Sequence, residues 1–244
     1  MPELPEIETV KLQLQKVLVG QICIKSDLKE IEGKEVQEVR RMGKVLLINF
    51  GPNLDLGFHF KMTGQLIYGG LPTKHTRAVF HLSGGTLYFN DMRKFGWVKI
   101  NPEFTLGEDA LKITTLGFLR LLGKLKKPIK IAIMDQTLIA GVGNIYANDA
   151  LWEAQINPQT PSHKLQEKQI SLLLSKIKLV LREGIKYGGT SISDYVDAHG
   201  KGGTYQDHIR VYKRNNLPCL RCKTKIEKIV LGGRGTYYCH KCQI

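Results

Sequence analysis

The chain opens Met1-Pro2-Glu3-Leu4-Pro5-Glu6. Methionine before a small residue is normally trimmed, which leaves Pro2 as an N-terminal secondary amine. Such an amine has a pKa of about 7.7–8, against about 10.4 for a lysine. Much of it is uncharged and nucleophilic near neutral pH. With the carboxylates of Glu3 and Glu6 close in sequence, it suits covalent imine chemistry at a carbonyl or at a sugar C1′. A second reading is purely structural: Pro2 and Pro5 start a helix whose dipole favours acids in its first turn. On these residues alone the structural reading is favoured, and the rest of the chain has to overturn it.

A second constellation lies at the other end. Four of the five cysteines form Cys219-Leu-Arg-Cys222 and Cys239-His-Lys-Cys242, sixteen residues apart. This is a zinc spacing, in which each pair sits on a tight turn and offers two sulfurs to one metal. Four thiolates close the tetrahedron, so the zinc is structural. Disulfides or free thiols are the alternative, but residues 1–20 carry Glu3, Glu6, Glu8 and Lys11 with no apolar core segment, and predict no export signal. His240 is not needed as a ligand and is expected to be exposed. Cys23, alone in an apolar strand-like segment, is expected in the core. Between the cysteine pairs, two β-like segments flank Gly232-Gly233-Arg234-Gly235. They predict a hairpin with Arg234 at its tip, where a guanidinium suits a phosphate as well as solvent.

The balance of charge supports an anionic partner. The chain has 244 residues, a formal charge of +14 and 42% hydrophobic residues. Residues 1–50 are neutral, whereas 201–244 hold ten Lys and Arg against Asp207 and Glu227. A basic surplus this localised points to nucleic acid rather than to an ordinary solvated face. No apolar run is long enough for a membrane span. The expectation is a soluble, cytoplasmic protein of one large or two smaller domains.

These residues need elements to position them. A helix from about Pro5 to Val19 carries an apolar stripe of Ile7, Val10, Leu14, Val17 and Leu18, and Gly20 can end it. Strand-like runs follow at 34–41, 44–50, 56–60, 65–68, 77–82, 86–90 and 96–100, with glycines between them, and suggest a β-sandwich. Residues 102–114 read as a linker. Helical pieces follow at 116–126, 128–135 and 145–154, the last two separated by Gly141-Val-Gly-Asn144. That turn offers backbone amides and the Asn144 side chain to a phosphate. A long helix is expected from Ser162, as N-cap, to Tyr187. The Gly-, Ser- and Thr-rich stretch 188–208 reads as mobile.

Taken together, the sequence resembles the formamidopyrimidine-DNA glycosylase family over nearly its whole length. The resemblance rests on MPELPEIETV at 1–10, RRMGKVLL at 40–47, HFKMTGQL at 59–66, NDMRKFGW at 90–97, MDQTLIAGVGNIYANDAL at 134–151 and the finger ending GRGTYYCHKCQ. It implies an α+β fold in two lobes: an N-terminal helix plus β-sandwich, then a helix–two-turns–helix domain with a C-terminal four-cysteine zinc-finger hairpin. The corresponding boundaries are a catalytic domain at 1–105, a linker at 106–115, a helix–two-turns–helix domain at 116–190, a flexible base-capping loop at 191–208 and the finger at 209–244. DNA would lie between the lobes.

The resemblance also implies roles. Pro2 would attack C1′ of a damaged nucleotide, release the base and leave an imine, with Glu3 donating a proton to open the sugar. Lys44 and Arg234 would assist strand cleavage and grip phosphates, and Glu6 would be a supporting carboxylate. A base must leave the duplex to reach Pro2. Met62, Arg93 and Phe95 match the residues that fill the hole, and His59, Lys61, His75 and Asn144 match phosphate contacts. The implied function is base-excision repair by a bifunctional glycosylase and AP lyase for oxidised purines such as 8-oxoguanine. An endonuclease VIII-like enzyme for oxidised pyrimidines and a non-enzymatic binder of damaged DNA are the rivals. One structural zinc held by Cys219, Cys222, Cys239 and Cys242, no redox or nucleotide cofactor, damaged double-stranded DNA as partner, a monomeric state and a nucleoid-associated location complete the expectation.

Overall fold

The structure is a computed structural model that describes residues 1–244. The chain forms two compact units. One comprises residues 1–104 and 184–206, the other residues 105–183 and 207–244. No helix is long and apolar enough to cross a membrane.

The first unit begins with α1 (Leu4–Leu18), whose stripe of Ile7, Val10, Leu14 and Leu18 is fully buried. Glu3 and Glu6 form a capping box at its start, so the acids near Pro2 do serve a helix N-terminus. Eight strands follow: β1 (Cys23–Ser26), β2 (Glu38–Met42), β3 (Val45–Asn49), β4 (Asp55–His59), β5 (Gly64–Tyr68), β6 (Thr76–Leu82), β7 (Gly85–Asp91) and β8 (Trp97–Ile100). They make two four-stranded antiparallel sheets, ordered β1-β6-β7-β5 and β2-β3-β4-β8. Their inner faces share one core, in which Phe58 of one sheet meets Phe80 and Phe89 of the other at 5.7 and 5.8 Å between ring centroids. Cys23 is buried there. The expected strand at 34–41 is shorter, because Glu35 and Val36 pair instead with Ile22 and with the backbone of Gly20 and Gln21. Segment 188–208 is tied down: Thr190 bridges Thr204, and Tyr195 and Ala198 are buried in the sandwich core.

The second unit begins with a short strand, β9 (Glu108–Asp109), within the expected linker. It pairs in parallel with β10 (Ile139–Ala140), and Ala110 and Ile113 are fully buried. The helices of this part of the chain are α2 (Thr115–Leu122), α3 (Ile129–Met134), α4 (Asn144–Glu153) and α5 (Glu167–Lys186). Thr114 caps α2 by accepting the Gly117 N–H at 3.1 Å. Ser162 does not start the long helix. Its amide and hydroxyl both donate to the Lys127 carbonyl, residues Ser162–Lys164 make one 3-10 turn, and α5 begins five residues later than Ser162. The unit ends in the hairpin β11 (Glu227–Leu231) and β12 (Arg234–Tyr238).

Candidate functional site

Pro2, Glu3 and Glu6 are buried. The Glu3 N–H donates to Glu6 Oε2 at 2.7 Å, and the Thr190 N–H donates to Glu6 Oε1 at 2.8 Å. The Tyr195 hydroxyl donates to the Glu6 carbonyl at 3.3 Å. Glu6 is therefore a brace that fixes the start of α1 against the returning segment. Gly189 makes the approach possible: its φ is +85°, and a Cβ there would lie 2.8 Å from Glu6 Cγ.

The amine of Met1 lies one residue before Pro2 and is half-buried. Burial lowers its pKa, Glu3 and Glu6 raise it, and Lys44 lowers it further; the net direction is down. Lys44 is buried in the turn between β2 and β3. That turn is held by Arg41, whose Nε donates to Glu8 Oε2 at 2.7 Å and whose Nη1 donates to the Gly43 carbonyl at 2.9 Å. His59 ends β4 beside Trp97, and its Nδ1 accepts the Lys61 N–H at 3.0 Å. Burial, with Lys61 and then Lys44 adding to it, lowers the His59 pKa to about 4, so this imidazole is neutral at pH 7. The sequence-expected Pro2, Glu3, Glu6, Lys44, His59 and Lys61 thus occupy one part of the first unit.

Met62, Arg93 and Phe95 stand on two loops at the strand ends and are exposed, Met62 at 40% and Phe95 at 57%. The Arg93 guanidinium lies 4.9 Å from the Phe95 ring centroid, a cation–π contact. His75 sits in the turn before β6. Its N–H donates to Thr73 Oγ1 and its carbonyl accepts from the Asp91 N–H.

In the second unit, Gly232 and Gly233 form the hairpin turn with φ of +57° and +72°, as a two-residue turn with both φ positive requires. Arg234 is exposed as the first residue of β12, opposite Leu231. Asn144 begins α4 and its Nδ2 donates to the Gly235 carbonyl at 3.2 Å, so this side chain supports the hairpin. Sequence reasoning missed Lys130 on α3. It is fully buried, and its Nζ donates to the Gly235 carbonyl at 3.0 Å and to Thr236 Oγ1 at 2.7 Å. The signal was a lone cation in the apolar run Ile129-Lys130-Ile131-Ala132-Ile133. Arg41 had no such signal, since its partner Glu8 lies 33 residues away.

The sulfurs of Cys219, Cys222, Cys239 and Cys242 all lie within 4.8 Å of one another. A tetrahedron of thiolates about 2.3 Å from zinc places sulfurs about 3.8 Å apart. Here Cys219 and Cys242 are 3.9 Å apart, and Cys222 and Cys239 are 3.4 Å apart. The four residues fit one zinc and leave it no open position, so its part is structural. Trp152 Nε1 donates to Cys219 Sγ at 3.4 Å, a contact that orients the ligand, and Arg221 stacks 3.7 Å over the Trp152 ring. His240 is exposed and pairs with Glu227 at 2.6 Å, outside the ligand set.

Comparison with known proteins agrees with this architecture. Residues 1–98 match the formamidopyrimidine-DNA glycosylase N-terminal domain, residues 106–196 its H2TH (helix–two-turns–helix) domain, and residues 216–244 the zinc finger found in FPG and IleRS. The formamidopyrimidine-DNA glycosylase of Pelotomaculum thermopropionicum is 40% identical, over 100% of this chain and 99% of that protein. That of Chloroflexus aurantiacus is 39% identical, over 100% of this chain and 98% of its own length. Among solved structures, the MutM (FPG) protein of Thermus thermophilus superposes with a TM-score of 0.90 at 36% identity, covering 99% of this chain and 98% of that one. The Lactococcus lactis Fpg in complex with abasic-site DNA also gives 0.90, at 32% identity and 99% coverage of each chain. The chain belongs to the formamidopyrimidine-DNA glycosylase family.

Proposed function

We propose that this chain is a base-excision repair enzyme, a bifunctional DNA glycosylase and AP lyase that removes oxidised purines, 8-oxoguanine and formamidopyrimidines, from duplex DNA. The observation that carries the reading is the seat at the N-terminus. Pro2 is buried beside the buried Glu3 and Glu6, and the Met1 amine next to it feels both acids and Lys44, its pKa lowered. With Met1 removed, the amine is that of Pro2, a secondary amine whose free base carries the attacking lone pair.

The chemistry follows from a secondary amine. Pro2 nitrogen attacks C1′ of the extruded nucleotide, the glycosidic bond breaks and the base leaves with a proton. Glu3 protonates the ring oxygen as the sugar opens, leaving an iminium at C1′. The iminium acidifies C2′–H; loss of that proton expels the 3′ phosphate by β-elimination, and a second loss expels the 5′ phosphate by δ-elimination. Water then hydrolyses the iminium and frees Pro2. Lys44, His59, Lys61, His75, Asn144 and Arg234 bind phosphates or assist these eliminations, and Met62, Arg93 and Phe95 fill the space of the extruded base. Zinc supplies no step; it holds the hairpin that carries Arg234. The protein acts as a monomer.

Borohydride trapping tests this. A duplex with 8-oxoguanine opposite cytosine is expected to give a covalent adduct with the wild-type protein, and Pro2→Gly to give little or none. A 5-hydroxycytosine duplex is expected to react more slowly. An adduct undiminished in Pro2→Gly overturns the proline mechanism, and faster reaction of the pyrimidine duplex overturns the purine preference.

A further inference from the structure

The residues read above as the wedge stand on two loops far apart in sequence. Met62 is on the loop Lys61–Thr63 before β5, and Arg93 and Phe95 are on the loop Met92–Gly96 between β7 and β8. One buried pair joins them. Asp91, the last residue of β7, is 1% exposed, and Thr63 is buried beside it. The Thr63 hydroxyl donates to Asp91 Oδ1 at 2.5 Å, and the Gly96 N–H donates to Asp91 Oδ2 at 2.7 Å. The Thr63 Oγ1 in turn accepts the Arg93 N–H at 3.0 Å. The carboxylate thus holds both ends of the second loop's frame, and the hydroxyl ties the first loop to Arg93.

Three further observations show that these loops need such a tie. Lys61 and Lys94 have φ of +48° and +59°, a left-handed backbone that is costly for a residue with a Cβ and persists only where neighbours enforce it. Gly96 is packed to its limit: a Cβ there would lie 2.9 Å from Phe89 Cζ and 3.0 Å from both Asp91 Oδ2 and the His59 carbonyl. Met62 and Phe95 are exposed, so burial of their own side chains does not fix their positions.

We propose that Asp91 and Thr63 are positioning residues that lock the two loops into one rigid wedge, so that Met62, Arg93 and Phe95 enter the duplex as a unit. This rests on the wedge reading of those three residues. Extruding a base costs a few kcal/mol, and a wedge that yields lets the base restack. A site held by a locked supporting shell does not yield. An abasic nucleotide has no base to unstack, so its processing depends far less on the lock.

The test compares Thr63→Val, which is isosteric but lacks the hydroxyl, with Thr63→Ser, which keeps it. Each is assayed on a duplex with 8-oxoguanine and on the same duplex with a preformed abasic site. A 2-aminopurine next to the lesion reports extrusion by stopped-flow fluorescence. The expected result for Thr63→Val is at least a ten-fold loss of 8-oxoguanine excision and a slowed fluorescence rise, with abasic-site cleavage within two-fold of wild type. Thr63→Ser is expected to match wild type on both duplexes. Equal loss on both duplexes, or no loss on either, overturns the lock. Met62→Ala and Phe95→Ala separate the two readings: loss of excision in these with none in Thr63→Val overturns the lock alone, whereas no loss in any of the three overturns the wedge itself and the lock with it.

Discussion

Lys130 Nζ lies 3.0 Å from the carbonyl oxygen of Gly235, the residue that follows Arg234. The same ammonium reaches Thr236 Oγ1, and the neighbouring Ile131 lies where a Cβ on Gly232 would fall, at 2.4 Å. Helix α3 thus grips the finger hairpin at its turn and along β12. Lys130→Met is expected to leave buried hydrogen-bonding groups short of a donor and to destabilise the second unit by about 1–3 kcal/mol. Strand cleavage is expected to fall more than ten-fold while zinc content stays at one per chain. Denaturant melting, metal analysis and a nicking assay read the three quantities.

Zinc removal acts on the same hairpin from its base. Cys219 and Cys239 are buried in a small cluster with Trp152, Val211, Ile226 and Tyr237. Four thiolates without a metal leave that cluster unclosed. Chelation, or Cys239→Ser, is expected to weaken damaged-DNA binding at least ten-fold and to abolish cleavage. Anisotropy with a labelled duplex measures the first, and unchanged binding in a verified metal-free sample contradicts the assignment.

Gly189→Ala tests the brace at the N-terminus. The added methyl meets Glu6 at 2.8–2.9 Å at a backbone φ of +85°. The expected cost is about 1–3 kcal/mol of stability, seen as a lower Tm. The borohydride adduct should fall by a larger factor than the loss of folded protein explains, because Glu6 also holds the Glu3 N–H.

His59 gives a pH signature. Its folded pKa of about 4 lies below the ordinary value of 6.5, so the unfolded chain takes up a proton first as pH falls. The stability tied to the neutral ring is complete above about pH 6.5 and is lost as pH drops through about 4. The loss is about 1–2 kcal/mol once partial solvent access is allowed for. His59→Gln should flatten that part of the acid-denaturation profile, and the His59 ring signals in an NMR titration should not move between pH 7 and 5.5.

Much of this was legible in the sequence wherever the signal was local. The apolar stripe from Ile7 to Leu18 marked α1, glycines marked the strand ends, and the cysteine spacing marked the metal site. Signals failed where a side chain spends its hydrogen bonds on a distant partner. Ser162 looks like a helix cap, but the Lys127 carbonyl takes its hydroxyl. Lys130, Arg41 and Asp91 act through partners 105, 33 and 28 residues away, and no periodicity reports such pairs. For Pro2, the residues at 1–10 left helix start and nucleophile as competing readings. The capping box lets the two coexist, since the acids that start the helix are also buried beside Pro2.

The bond from Thr190 to Glu6 spans 184 positions. Residues earlier in a chain leave the ribosome before later ones, yet the seat of Glu6 cannot close until residue 190 has been made and folded back. Domains form as units during synthesis, N-terminal parts first, and this one waits for residues 184–206, which follow residues 105–183 of the other unit in sequence. Until then Glu6 lacks its bonds from Thr190 and Tyr195. Order of synthesis thus puts the closing of the Glu6 seat late in the folding of its own unit.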